Sequence, residues 1–261
     1  MIMSSEDSVR RPISLKIFGI AATLLLLMIV VTLFSSINLH RMGQELSLLS
    51  DYYIQLDQLM GDVRTQSLRE MTIIERVINK KPKNIGFLDD GSIHGKAEEL
   101  FKDAGDCEPD ALRPVLRKIR KSYKDYAEQQ LMVYQVTRLC TKVRLENANA
   151  LVKQMLALPK IKDDPEDIMR LATIRSELDN IMPVREKLND SFEKYLKEIG
   201  ESEAATLALL QERLEENRRE VSRRTSAVSR ALHAGTRDSA ARAKKLENRT
   251  LLLGWIVTFV A

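Results

Sequence analysis

The sequence predicts an all-α chain: a transmembrane helix, an up-down four-helix bundle of long helices, and the start of a second transmembrane helix. Three observations carry that expectation. An uncharged apolar run near the N-terminus is long enough to cross a bilayer, and a second apolar run closes the chain. Between them, apolar residues recur at helical spacing with few breakers. Composition agrees, because Leu, Ala, Glu, Lys, Arg and Met dominate while aromatics make up only 5%. Those residues lose little rotamer freedom in a helix.

Residues 1–16 read as a cytoplasmic tail and residues 17–39 as the first membrane helix. No charge occurs from Ile17 to Leu39, and Ile17 to Phe34 (IFGIAATLLLLMIVVTLF) is almost wholly apolar. About 20 such residues cross a hydrocarbon core of ~30 Å. Arg10, Arg11 and Lys16 precede the run, whereas Arg41 follows it in the company of Glu45, Asp51 and Asp57. The positive-inside rule then places the N-terminus in the cytoplasm and residues 40–249 outside the membrane. A cleaved signal peptide fits less well, since the run exceeds the usual apolar length and Phe34-Ser35-Ser36-Ile37 makes a poor cleavage site.

At the other end, residues 250–261 read as a second membrane helix cut short. Leu251 to Ala261 (LLLGWIVTFVA) rises only ~16 Å as a helix, about half a bilayer. The protein is therefore expected to continue beyond residue 261. Arg242, Lys244, Lys245 and Arg249 stand just outside this span, where basic residues are normally sparse. Long domains translocate largely regardless of charge, so the topology stands with that conflict attached.

Two spans on one face require an even number of long helices between them. The first continues out of the membrane along Leu39, Met42, Leu46, Leu49, Tyr53, Leu56, Met60 and Val63, an unbroken 3-4 spacing. The seam blurs at Ser67, resumes at Met71, Ile74 and Ile78, and stops at Lys81-Pro82. Residues 82–114 hold four of the ten glycines and three of the seven prolines, so they read as an irregular tip with one short helix near Lys96 to Asp103. A second helix is expected from Pro114 to Leu158. Asp164-Pro165-Glu166-Asp167 is a strong start for a third, with an acidic cap and proline at its first position. It should reach Gly200 with a kink at Pro183. A fourth runs from about Ser202 into the second span. Such helices stand roughly 50–75 Å long.

Several stretches resemble a known group of proteins. Arg-Pro-Ile-Ser-Leu-Lys-Ile before the first span, Leu49-Ser50-Asp51-Tyr52-Tyr53-Ile54-Gln55-Leu56 and Glu75-Arg76-Val77-Ile78 carry the likeness. In these stretches and in architecture the chain resembles the N-terminal part of bacterial transmembrane receptors: chemoreceptors, sensor histidine kinases and membrane-bound class III adenylate cyclases. The resemblance implies a sensory input module, dimeric through its helices, that answers a small ligand or a periplasmic protein. It also implies a kinase, cyclase or chemoreceptor output domain beyond residue 261. A membrane-anchored helical scaffold that tethers another protein is the competing expectation.

Candidate sites are few. No phosphate loop, zinc-protease motif, nucleophile elbow or kinase or cyclase catalytic motif occurs, so the chain is not expected to be an enzyme or to need a cofactor. A net charge of +4 from 41 basic and 37 acidic residues, without aromatic-interleaved basic runs, points away from nucleic acid. His40, His94 and His233 are too scattered for a metal site. With one helix from Pro114 to Leu158, Cys140 lies ~39 Å along it while Cys107 sits near its start, too far for a disulfide, with Cys140 buried as a thiol. Arg64, Arg69 and Arg138 are the candidate ligand-binding residues. The first two flank Ser67, where the seam is interrupted, and a guanidinium pairs a carboxylate through two hydrogen bonds. In the last helix, small residues from Val221 to Gly235 lie among arginines, as a movable signalling helix would require.

Overall fold

A computed structural model describes residues 13–80, 90–104, 107, 109–123, 125–198 and 204–260. No strand occurs among them, and the all-α expectation holds. In chain order the helices are α1 (Ile13–Leu48), α2 (Ile54–Lys80), α3 (Asp90–Ala104), α4 (Pro109–Ser122), α5 (Tyr126–Ala157), α6 (Pro159–Lys162), α7 (Pro165–Glu198) and α8 (Ala204–Val260). A π-helical turn, Leu49–Tyr53, joins α1 to α2. Among the described residues one helix is long and apolar enough to cross a membrane: an 18-residue window near its N-terminal end has a mean hydropathy of 2.8 and no buried residue. The expected helix ends at Lys81-Pro82 and Gly200 lie outside the described residues.

The chain divides into two compact units, Asp51–Thr236 and a second that pairs Met1–Ser50 with Arg237–Ala261. In the larger unit, α2 packs on α5 and α5 on α7, while α3 and α4 cover the N-terminal half of α5. Cross-helix partners give the directions. Asp62 meets Arg144 and Gln66 meets Thr141, so α2 and α5 run antiparallel. Arg138 meets Glu193 and Asn149 meets Asp179, so α5 and α7 do too. Glu177 with Arg224 and Ser191 with Asn217 set α8 antiparallel to α7. The core holds Met71, Ile74, Leu131, Tyr134, Phe192 and Leu214, with the Tyr134 and Phe192 rings edge-to-face at 4.9 Å. Such a ring pair contributes about 0.5–1.5 kcal/mol beyond its burial.

The helix starting at Pro165 begins as its sequence predicts. Asp164 Oδ1 accepts the amides of Glu166 at 3.0 Å and Asp167 at 3.4 Å, satisfying donors that the helix itself leaves open. Pro183 lies within α7, which continues through it.

Three expectations are corrected. The helix expected from Pro114 to Leu158 is two helices, because it breaks at Tyr123–Asp125. Asp125 caps the new start, accepting the Glu128 amide at 3.2 Å, while the Gln129 amide group donates to the Tyr123 carbonyl at the end of α4. Each cut end thus gains a side-chain partner. In consequence α4 folds onto α5, and Cys107 lies in the same apolar cluster as Cys140 rather than near the far start of its helix. Both thiols are buried, and Arg144 donates to the Cys107 carbonyl at 3.0 Å.

The tip is also more regular than expected, with α3 covering Asp90–Ala104 and α4 starting at Pro109. Finally, the seam through α1 is displaced. Leu39 and Leu46 are exposed, whereas Asn38, Glu45 and Leu48 are buried within the smaller unit, where Glu45 pairs with Arg242 at 3.5 Å. The π turn is the cause. The step from buried Leu48 to buried Tyr53 is five residues in place of three or four, so the phase slips by one residue across it.

Candidate functional site

On α2 the apolar seam of Leu56, Met60 and Val63 leads to Ser67, and the buried residues there are Gln66, Ser67 and Glu70. On α5, Tyr134, Arg138 and Thr141 recur at i, i+4 and i+7, which places them on one face. On α7, Arg185, Asn189 and Glu193 do the same at steps of four. These three faces meet in the larger unit.

Arg185 and Glu70 form the centre. Both are more than nine-tenths buried, and one Arg185 Nη2 lies 2.6 Å from each Glu70 carboxylate oxygen. Arg185 Nη1 donates to Ser67 Oγ at 2.8 Å, and Thr141 Oγ1 lies 2.7 Å from Glu70 Oε1. A buried charge is tolerated only when paired and hydrogen-bonded in this way. Beside this pair, the Tyr134 hydroxyl donates to Asn189 Oδ1 at 3.1 Å, and Asn189 Nδ2 donates to Glu193 Oε1 at 2.6 Å. Arg138 Nη1 reaches the same Glu193 oxygen at 3.5 Å. Burial above all, then the nearby Glu70 carboxylate, pushes the Tyr134 hydroxyl well above the ordinary phenol range, so it stays a donor.

A cavity of about 150 Å³ opens against this network. Glu70, Glu98 and Glu186 line it together with Arg138, Lys142 and Arg185, and Tyr134 and Asn189 add neutral polar groups. The chemistry offered is recognition, with charges of both signs and a fixed hydroxyl. No group of His, Cys, Asp and Glu that could hold a metal occurs among the described residues. His40 and His233 are exposed, and the side chain of His94 lies outside the described residues.

Of the three arginines singled out by sequence, Arg138 lines the cavity. Arg64 and Arg69 are exposed on α2 and do not join it. At about 100° per residue, both point roughly 90° or more away from the face of Ser67 and Glu70. Glu70, Tyr134, Thr141, Arg185 and Asn189 escaped sequence reasoning, although one signal was present. Leu178, Ile181, Arg185, Leu188, Phe192 and Tyr195 keep a 3-4 spacing, all buried, with a guanidinium inserted in the seam. A comparison with protein-family models, curated proteins and solved structures returns no match.

Proposed function

We propose that this chain is the sensory input module of a bacterial transmembrane receptor. In this reading α1 spans the inner membrane with the N-terminus in the cytoplasm, and the C-terminal end of α8 begins the return. Between them α2, α5, α7 and the first part of α8 form an up-down four-helix bundle. The observation that carries the reading is a cavity carrying charges of both signs set against a buried ionic network that ties three helices together. A ligand there acts on α2, α5 and α7 at once, and shifts the balance between two packings of the bundle. The cavity suits a small polar molecule bearing both an anionic and a cationic group, its carboxylate towards Arg138 and Lys142 and its cation towards Glu98 and Glu186.

Thermal unfolding of the full chain in lipid nanodiscs, screened against amino acids, small amines and small carboxylates, tests this. A ligand present at 100 times its Kd adds about 2.7 kcal/mol of stability, which raises Tm by roughly 5–10 °C in a domain of this size. Arg138→Ala should remove that rise while leaving the unliganded Tm within about 1 °C, since the side chain is partly exposed. A screen without any shift would reject the ligand-sensing reading.

The receptor is proposed to be a homodimer through α2. Along its exposed side Ile54, Gln58, Gly61, Thr65, Leu68 and Thr72 form an uncharged stripe flanked by Arg64 and Arg69, in a chain that is 30% charged. Thr65 and Thr72 bond their hydroxyls back to the Gly61 and Leu68 carbonyls, at 2.9 Å each, and so present their methyl groups. Under mild oxidation in membranes, Gly61→Cys should give a covalent dimer in high yield, and Glu146→Cys on an exposed face of α5 should not. Equal yields from both positions would remove α2 as the interface.

A further inference from the structure

In the smaller unit a groove of about 620 Å³ runs between α1 and the C-terminal part of α8. Phe34 forms its α1 side. Its α8 side is a single stripe, because Ala241, Lys244, Lys245, Arg249 and Leu252 follow one another at helical spacing. Most of its wall is apolar carbon, and its cations stand directly before the apolar run that begins at Leu251.

The three cations differ from five arginines of the same helix. Arg218, Arg219, Arg223, Arg224 and Arg242 each pair with a carboxylate. Lys244, Lys245 and Arg249 are exposed and pair with no carboxylate among the described residues. They are also the residues whose placement outside the second span runs against the usual charge bias. An apolar wall next to unpaired cations matches an amphiphile with an anionic head, and the volume lies in the range of ligand-holding clefts, ~300–1,000 Å³.

We infer that this groove binds an anionic phospholipid of the surrounding leaflet, its phosphate on Lys244, Lys245 and Arg249 and an acyl chain along Phe34 and Leu252. A free phosphate would leave the apolar wall unused. The site gives the outward basic cluster a role and fixes the depth at which α8 enters the bilayer. It rests on the reading of α1 and α8 as membrane helices.

The test uses the full chain in nanodiscs made from equal parts of phosphatidylglycerol and phosphatidylcholine, with native mass spectrometry counting the lipids that stay bound. Phosphatidylglycerol should be retained in preference. The K244Q/K245Q/R249Q variant should lower that preference by about tenfold or more, while R218Q/R219Q/R223Q leaves it unchanged. Equal retention of the two lipids by the unaltered chain overturns the proposal, as does displacement of the bound lipid by inorganic phosphate. Flotation with pure phosphatidylcholine vesicles separates the two readings. A chain that does not float takes the membrane reading down with it, and a chain that floats without lipid preference removes only the lipid site.

Discussion

Replacing Arg185 with alanine should lower the stability of the chain by about 3–5 kcal/mol. The guanidinium is the counter-charge of Glu70, and both groups are buried in the centre of the larger unit. Once it is removed, Ser67 loses its donor and the Glu70 carboxylate keeps only the Thr141 hydroxyl as a close partner. A carboxylate in that position is left charged without a cation, and the desolvation cost that Arg185 offset falls on the fold. Arg185→Lys should lie between the two, because an ammonium cannot span both carboxylate oxygens and the Ser67 hydroxyl together. The paired replacement Arg185→Met with Glu70→Leu removes both charges and should return to within about 2 kcal/mol of the starting stability or exceed it. Guanidinium unfolding of the full chain in mild detergent, followed by helical signal, measures all four proteins. If Arg185→Ala and the paired variant are equally unstable, the cost lies in lost packing volume and the account based on buried charge is wrong.

That pair also shows how much of the molecule can be read from sequence. Apolar periodicity reveals a helix where its inner face is mostly apolar, and α2 was legible for that reason, whereas α7 and α8 were legible from the breakers that bound them. The cap at Asp164 was legible because it is a local signal, an acid followed by proline. An equally local signal at Asp125, with Glu128 three residues on, has the form of a capping box and marks the break between α4 and α5. It is masked in the sequence because the apolar positions on either side, Ile119 and Tyr123 before it and Val133 after it, stay roughly in phase. The placement of Cys107 beside the Cys140 cluster follows from that break and was out of reach without it.

The site divides in the same way. The Ser67 interruption pointed to the right turn of α2, but the charged neighbours it drew attention to, Arg64 and Arg69, lie on the outer face. The charges that meet there come from α2, α5 and α7, and their meeting is set by tertiary packing with |i−j| above a hundred for Glu70 and Arg185. No local pattern encodes such a pairing. The π turn at Leu49–Tyr53 was equally hidden, since a one-residue slip leaves apolar residues available in both phases, Leu39 and Leu46 in one and Leu48 in the other.

Gly235→Ala should destabilise the chain by up to about 2 kcal/mol, although alanine is the better helix former. Gly235 lies within α8, where the substitution alone gains about 1 kcal/mol. A Cβ there would stand 2.6 Å from Tyr53 Cε1 and 3.0 Å from Cζ. The Tyr53 ring is fully buried, so it cannot swing away, and overpacking of an enclosed site costs about 1–3 kcal/mol. The clash outweighs the propensity. Gly95 provides the opposite case, exposed in α3 with nothing within 4 Å of its would-be Cβ, and Gly95→Ala should stabilise by about 0.5–1 kcal/mol. One chemical change thus has two signs, decided by whether a tyrosine ring fills the space. Tyr53→Leu removes the ring atoms concerned and costs a cavity when made alone. Combined with Gly235→Ala it should be better tolerated than the sum of the two by about 1 kcal/mol or more, a coupling expected only for groups in contact. Tyr53 also closes the π turn, so pressure from the added methyl group should release the amides of Leu49–Tyr53 to faster hydrogen exchange before the rest of α2 is affected. Additive effects, with exchange at Leu49–Tyr53 unchanged, would show that Gly235 does not hold Tyr53 in place.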